Sequence, residues 1–292
     1  MEKYLFIINP VAGVKKAMDY IPEIQREIDN RNVVGKIVVT KSVGEATDLV
    51  LLNSDYEVCV AVGGDGTVNE VAKGILQRKS GILGIIPSGT GNDLAKVLGI
   101  EENIEKSIIN IFENESKNID IGLAKDKYFF NIASLGFDAQ VVRSTDLIRK
   151  FIKGKIAYVL GVVTSLIGYR KRMIKVIIDG VEIERNAMLV AVGNGQYYGG
   201  GMQILPMSIV DDGEFDICIV KDISNIRILF LFPSIFKGEH VKYKEYVEFY
   251  KGKEVLVNIG GKYYLNVDGE ISPVKDEIID FKLSKNKLRV KI

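Results

Sequence analysis

The run Val58-Cys59-Val60-Ala61-Val62-Gly63-Gly64-Asp65-Gly66-Thr67-Val68-Asn69-Glu70-Val71 reads as a short buried strand, a glycine-rich turn and the start of a helix. Such a turn suits a phosphate. Gly63, Gly64 and Gly66 carry no Cβ, so the backbone can bend sharply and bring its amides close to an anion at a helix N-terminus. Thr67 and Glu70 stand at capping-box spacing, which sets the expected helix start beside the turn. Asp65 sits among the donors. A carboxylate next to a phosphate is unfavourable unless a cation lies between them, so Asp65 points to Mg²⁺, held directly or through water, and hence to a metal-nucleotide. An ordinary strand-turn-helix carries the same glycines; the polar pair Asn69 and Glu70 in the first helical turn weighs against it. A second loop, Pro87-Ser88-Gly89-Thr90-Gly91-Asn92-Asp93, follows an apolar run at 82–86 and puts small hydroxyl residues between glycines again. No Gly-x-x-x-x-Gly-Lys-Ser/Thr occurs, which disfavours a P-loop enzyme. His240 is the only histidine and reads as an exposed residue without a role, so any acid or base work falls to carboxylates.

The elements that must position these loops alternate. A buried strand at 4–8 ends in Asn9-Pro10, a helix follows with Met18, Ile21, Ile24 and Ile28 at helical spacing, then a strand at 36–40, a helix at 45–52 and the strand at 58–62. Strand-helix alternation implies a parallel sheet with helices on both faces, and ligands then bind at the carboxyl ends of the strands, where Asn9, Thr40 and Gly63 fall. From about residue 118 the pattern changes to period-two strands. Asp179-Gly180, Asp212-Gly213 and Asp268-Gly269 read as hairpin turns of an antiparallel region, hence a second domain. The last strand, 287–292, suits either core.

With 292 residues, 47% of them hydrophobic, the chain is long enough for two cores. Its 39 Lys plus Arg nearly balance 38 Asp plus Glu, so no global field favours nucleic acid. Cys59 and Cys218 lie in separate apolar runs and read as buried thiols of a reducing cytosol. The N-terminal apolar run is short for a signal peptide, and no stretch nears the roughly 20 apolar residues of a membrane span. A cytoplasmic protein is expected. Between Arg143 and Lys175 nine basic residues and one acidic one bracket an apolar helical run at 156–169. A core helix with solvated ends and an interfacial segment on anionic lipid both fit that pattern.

Asn9-Pro10-x-x-Gly13, Gly63-Gly64-Asp65-Gly66-Thr67-x-Asn69-Glu70, Pro87-x-Gly89-Thr90-x-Asn92-Asp93, Asp120-Ile121-Gly122 and Asn266-Val267-Asp268-Gly269-Glu270 together resemble the diacylglycerol-kinase-like lipid kinases of the soluble bacterial type, related to sphingosine kinases. The resemblance runs from residue 4 to the end. Gly-Gly-Asp-Gly alone is shared with NAD kinases and phosphofructokinases; five motifs in order are specific. The resemblance implies an ATP-binding α/β domain, residues 1–122 with about 283–292 returning to it, and a β-sandwich lipid-substrate domain, 123–282, with the active site in the cleft between them. It places Asn9, Pro10, Gly13, Thr40, Gly63, Gly64, Asp65, Gly66, Thr67, Val68, Asn69 and Thr90 around ATP. It gives Asp65 to the Mg²⁺ of the nucleotide, Asp93 and Asp120 to the metal and water network, and the general-base role to Glu270. Position agrees for Glu270, which follows the Asp268-Gly269 turn and is held at a hairpin tip; a hydroxyl attacking a γ-phosphate needs a carboxylate to take its proton. A structural Mg²⁺ is also implied, on Asp212 with the backbone carbonyls of Ile209 and Glu214, Asp211 being a neighbouring carboxylate and a self-capping Asp-Gly turn the plainer reading.

The expected activity is transfer of the γ-phosphate of ATP to a hydroxyl of a membrane lipid, diacylglycerol first. Alternatives are another lipid (phosphatidylglycerol, a sphingoid base, undecaprenol), a soluble acceptor such as NAD, or a non-catalytic lipid- or nucleotide-binding regulator; the intact carboxylates argue against the last. A lipid acceptor favours the interfacial reading of residues 143–175, with Lys15 and Lys16 adding to a peripheral contact with an anionic membrane surface. No nucleic-acid partner is expected. Oligomeric state is left open, a homodimer included.

Overall fold

The computed structural model describes residues 2–13, 16–149, 155–166 and 172–292. In chain order the first elements are β1 (Lys3–Ile8), α1 (Ile21–Arg31), β2 (Val34–Val39), α2 (Glu45–Leu52), β3 (Val58–Gly63), α3 (Asp65–Arg78), β4 (Ile82–Pro87), α4 (Asp93–Val97), α5 (Ile104–Glu113) and β5 (Ser116–Ile119). Next come β6 (Gly122–Ala124), β7 (Lys127–Phe129), β8 (Ile132–Gly136), α6 (Phe137–Arg149), α7 (Lys155–Leu166), β9 (Arg172–Ile178), β10 (Val181–Gly193) and β11 (Phe215–Lys221). The chain ends with α8 (Asn225–Ile235), β12 (Val247–Gly252), β13 (Glu254–Ile259), β14 (Lys262–Val267), β15 (Glu270–Lys275), β16 (Ile278–Leu283) and β17 (Leu288–Lys291). They form two compact units, Met1–Asp120 with Lys285–Ile292, and Ile121–Ser284.

The first unit is a six-stranded sheet in the order β2-β1-β3-β4-β17-β5, parallel except for β5. Its inner strands are unbroken apolar runs, as strands covered on both faces must be. Tyr4, Phe6, Ile8, Val58, Val60 and Val62 share a core with Ile24 and Ile28 of α1 and Ile108 and Ile111 of α5. The alternate residues, among them Leu5, Ile7, Cys59 and Ala61, are equally buried and belong to the face covered by α2 and α3. The last strand lies in this sheet, between β4 and β5.

The expected capping box does not form. Helix α3 starts at Asp65 with Gly64 as its N-cap and no side-chain cap. Thr67 therefore lies inside the first turn. Glu70 reaches instead to α2, accepting the Gly44 N–H at 2.8 Å and the Ala46 N–H at 3.2 Å.

The second unit is antiparallel throughout, with strand order β15-β14-β8-β10-β9-β13-β16-β6-β7, while β11 pairs with β10 and β12. Side chains from strands far apart in that order, Phe129 of β7, Leu265 of β14, Val257 of β13 and Phe215 of β11, meet in one core, so the sheet folds back over itself. Strand β10 makes this possible. Its first half pairs with β9 and its second with β8 and β11, with an irregularity between Ala187 and Leu189. Asp179-Gly180 and Asp268-Gly269 are tight hairpin turns with both residues at positive φ.

Asp212-Gly213 is not a hairpin. Only Gly213 takes positive φ there, and the following β11 pairs with β10 and β12 rather than with a strand across that turn. Helix α8 lies within the strand-rich second half of the chain. His240 is 3% exposed, not a surface residue; its Nε2 donates to the Ile204 carbonyl at 3.0 Å, which fixes the proton on that nitrogen. Among the described residues no helix is long and apolar enough to cross a membrane.

Candidate active site

Four strand ends of the first unit converge through hydrogen bonds. The Asn9 N–H donates to Val62 O at 3.0 Å and the Thr40 N–H to Ile8 O at 2.9 Å. Asn9 Nδ2 donates to Thr67 Oγ1 at 3.0 Å, tying the exit of β1 to the first turn of α3. Pro10 and Gly13 belong to the turn after β1, Gly13 at φ 61°. Gly63 lies so close to Thr67 that a Cβ there would collide with its hydroxyl.

The two glycine loops touch along their backbones. A Cβ on Gly64 would sit 3.0 Å from the Gly89 Cα, and one on Gly89 would collide with the Gly64 Cα. Ser88 donates its N–H to Gly63 O at 2.9 Å. Asn92, in the left-handed conformation, closes the second loop: its Oδ1 accepts the Gly89 N–H at 2.9 Å and its Nδ2 donates to Gly89 O at 3.1 Å. Asp65 joins the loops, its Oδ1 accepting the Asp93 N–H at 2.5 Å.

The joined loops offer anion donors. The opening amides of a helix have no intrahelical acceptor, and the dipole of the 14-residue α3 adds positive potential at Asp65, Gly66 and Thr67. The buried Ser88 hydroxyl has no hydrogen-bond partner among the described residues and adds another. Thr67, Val68 and Asn69 are buried in this turn, whereas Thr90 is exposed at the tip of the second loop. Bare backbone that no Cβ could enter, beside unsatisfied donors, fits nucleotide phosphates.

The three carboxylates expected around the nucleotide, Asp65, Asp93 and Asp120, do not form a cage. Asp65 and Asp93 are joined as described; Asp120, also buried, pairs with Lys287 Nζ at 2.9 Å, just before β17. Among the described residues no three acidic, histidine or cysteine side chains gather at one point.

In the second unit Glu270 opens β15, exposed, directly after the Asp268-Gly269 turn. That turn is clamped from behind. The Asp268 carboxylate accepts the N–H groups of Phe130, Asn131 and Ile132 at 2.7, 3.1 and 2.9 Å. Asn266 accepts the Gly269 N–H at 2.9 Å and donates to the buried Asp138 at 3.3 Å, which also accepts from the Ser134 hydroxyl. Burial pushes the Asp138 carboxyl above the usual range, against the lowering effect of these donors. No local pattern marks Ser134 and Asp138, which bond to each other four residues apart; the signal that ties them to the turn is Asn266, 128 residues from Asp138.

Asp212 is engaged on both oxygens. Oδ1 accepts the Glu214 N–H at 3.2 Å, the self-capping turn, and Oδ2 pairs with Lys251 Nζ at 2.7 Å. Ile209 is exposed in the loop before it. A cation at Ile209, Asp212 and Glu214 would have to displace the Lys251 ammonium. Of the basic segment, Arg172 donates to Gly260 O and Lys175 pairs with Glu182 at 2.6 Å. The side chains of the other basic residues there, except Arg172 and Lys175, and of Lys15 and Lys16, lie outside the described residues.

The first unit is a parallel sheet with two fused glycine loops at its strand ends, and the second is an antiparallel unit with a clamped hairpin turn. The NAD kinase of Archaeoglobus fulgidus, solved with ATP, shares the fold at TM-score 0.53 and 13% identity, over 99% of this chain and 93% of that one. Residues 3–124 match the diacylglycerol kinase catalytic domain, and residues 131–282 the YegS C-terminal NAD kinase beta sandwich-like domain. The chain is 31% identical over 267 residues to the diacylglycerol kinase of Staphylococcus saprophyticus, covering 90% of this chain and 87% of that protein. It is 29% identical over 274 residues to that of Bacillus subtilis, covering 92% and 90%. A candidate diacylglycerol kinase from Bacillus anthracis superposes at TM-score 0.79 with 27% identity over 99% of this chain and 97% of that one. The chain belongs to the diacylglycerol kinase family, ATP-using kinases that phosphorylate an alcohol acceptor.

Proposed function

We propose that this protein transfers the γ-phosphate of ATP to the free hydroxyl of diacylglycerol in a membrane. The observation that carries the nucleotide part is the backbone contact of Gly64 with Gly89, which makes one donor surface of two loops. The lipid acceptor rests on the family and on the named activity of the relatives. In this reading Asn9, Pro10, Gly13, Thr40, residues 63–69 and Thr90 bind ATP, with the opening amides of α3 on its phosphates. Asp65 would hold the Mg²⁺ of the nucleotide, which would supply neutralising charge there, and Asp93 and Asp120 would hold the surrounding network. Glu270 accepts the proton of the lipid hydroxyl as its oxygen forms a bond to the γ-phosphorus. The bond from that phosphorus to the bridging oxygen breaks, and ADP departs with the electron pair.

The domain roles follow: residues 1–122 with about 283–292 bind nucleotide and 123–282 bind lipid. The enzyme works in the cytoplasm on an anionic bilayer, which the basic residues of 143–175 attract. One chain supplies every residue named, so a homodimer is not required. At Asp212 the donor set favours the lysine pair over a structural Mg²⁺, and no role is given to a metal there.

The test is phosphorylation of a panel of diacylglycerol, phosphatidylglycerol, sphingosine, undecaprenol and NAD by labelled ATP. Turnover of diacylglycerol above the others is expected. Preference for any other acceptor would overturn the substrate, and no transfer to any of them would overturn the reading.

A further inference from the structure

Helix α8, Asn-Ile-Arg-Ile-Leu-Phe-Leu-Phe-Pro-Ser-Ile, is apolar nearly all round, yet none of its residues is fully buried. A helix of that composition belongs either inside a core or against lipid. Its inner face is accounted for: Ile228, Leu231, Phe232 and Ile235 pack on Val141, Leu166, Met188 and the outer side of β11. The helix is also pinned at both ends, by Asn225 Nδ2 donating to Leu166 O at 3.2 Å and by the Gln203 N–H donating to Ile235 O at 3.0 Å.

Its outer face is bare. Ile226 is 71% exposed, Leu229 45% and Phe230 80%, and Pro233 is exposed as well. These four fall at i, i+3, i+4 and i+7, one continuous stripe rather than scattered surface residues.

We propose that α8 is an interfacial anchor whose Ile226, Leu229, Phe230 and Pro233 stripe enters the acyl boundary of a lipid bilayer. This rests on the lipid-kinase reading, since a diacylglycerol acceptor resides in such a bilayer. Charge and length favour lipid over a protein partner. The helix contains Arg227 and no acidic residue, and Lys237 follows it; Asp222 and Glu239 lie outside it, and the carboxylate beside Arg227 is Glu245, on the Tyr246 hydroxyl that holds the arginine. Arg227 is held by the Tyr246 hydroxyl, its guanidinium 5.5 Å from that ring, which places a cation at the base of the stripe for anionic headgroups. Eleven residues span about 16 Å at 1.5 Å each, half a hydrocarbon core, so the helix lies along the surface and does not cross. The anchor differs from the basic segment in kind: its apolar contribution is not screened by salt, whereas attraction of exposed charges is.

The chain has no tryptophan, so Phe230→Trp gives a single reporter. With phosphatidylcholine–phosphatidylglycerol vesicles its emission should move to the blue, be quenched by lipids brominated in the acyl chains, and stay so in high salt. Ile226→Ser with Leu229→Ser should weaken vesicle sedimentation by about tenfold or more, while turnover of a short-chain, water-soluble diacylglycerol is kept. A tryptophan that does not shift overturns the proposal. A shift that appears without vesicles and vanishes on dilution also overturns it, because a second copy then covers the stripe. If the unaltered chain phosphorylates diacylglycerol in neither form, the lipid-kinase reading fails separately, and the tryptophan shift alone decides for or against the anchor.

Discussion

Glu270 and His240 show how differently single residues are used. Glu270 is exposed at a hairpin tip whose backbone is held by Asp268 and Asn266, so the proposed base sits on a fixed backbone. Glu270→Gln keeps size and hydrogen bonding but cannot take the proton; turnover should fall by about 10²- to 10⁴-fold with ATP affinity retained. Near-normal turnover in a steady-state assay would remove the base role. His240 contributes to stability instead. Burial lowers its pKa below the usual value, the Ile204 carbonyl opposing that shift only in part. A base whose folded pKa is depressed is protonated more readily when unfolded, so its contribution is complete above about pH 6.5 and declines as pH falls through that value. Urea unfolding at pH 7.5 and 5.5 should show a loss of stability that shrinks in His240→Phe; an unchanged loss would place the sensitivity elsewhere.

The element that matters most is the pair of loops after β3 and β4. They are neighbours in the sheet, so parallel register brings Gly63 opposite Pro87 and stacks the turns that follow. Glycine is required at the contact because what a side chain would strike is backbone, which cannot rotate away. Gly89→Ala should cost about 1–3 kcal/mol at this contact; the same energy lost from the transition state corresponds to roughly 5- to 150-fold in kcat/KM for ATP. Kinetics and a melting curve check this together, and unchanged ATP kinetics would mean that the loops are not the nucleotide surface. Glu70 carries a related lesson. Its spacing from Thr67 matches a capping box, but once α3 starts at Asp65 the carboxylate is one turn along the helix, aimed at the free amides of α2.

For the whole molecule, the decisive feature is that the chain visits the first sheet twice. Strand β17 fills the place between β4 and β5, and Lys287 just before it supplies the partner of Asp120. The second unit is therefore an insertion between β5 and β17 in sequence. Its α8 brings an apolar stripe to the surface, and the vesicle experiment above tests at this scale whether the protein meets its acceptor as a free or an interfacial enzyme.

The nature of the first sheet and the position of its loops were legible in the sequence, because strand-helix alternation and glycine punctuation are local signals: the helix at 45–52 and the strand beginning at Val58 appear where the pattern puts them. The mainly antiparallel second half was legible for the same reason, through Asp179-Gly180 and Asp268-Gly269, whose paired positive φ values are a property of two residues. Asp212-Gly213 has the same letters but not the same geometry, since its neighbours pair with strands distant in sequence. Local patterning left the place of the last strand open, although the family resemblance implied a return to the first domain; only the tertiary structure decided that Asp138 and Ser134 stand behind the Glu270 turn, that His240 is buried, and that α8 leaves one apolar face bare. Each depends on contacts between residues far apart in the chain or on which face of an element is covered, and periodicity along a sequence carries neither.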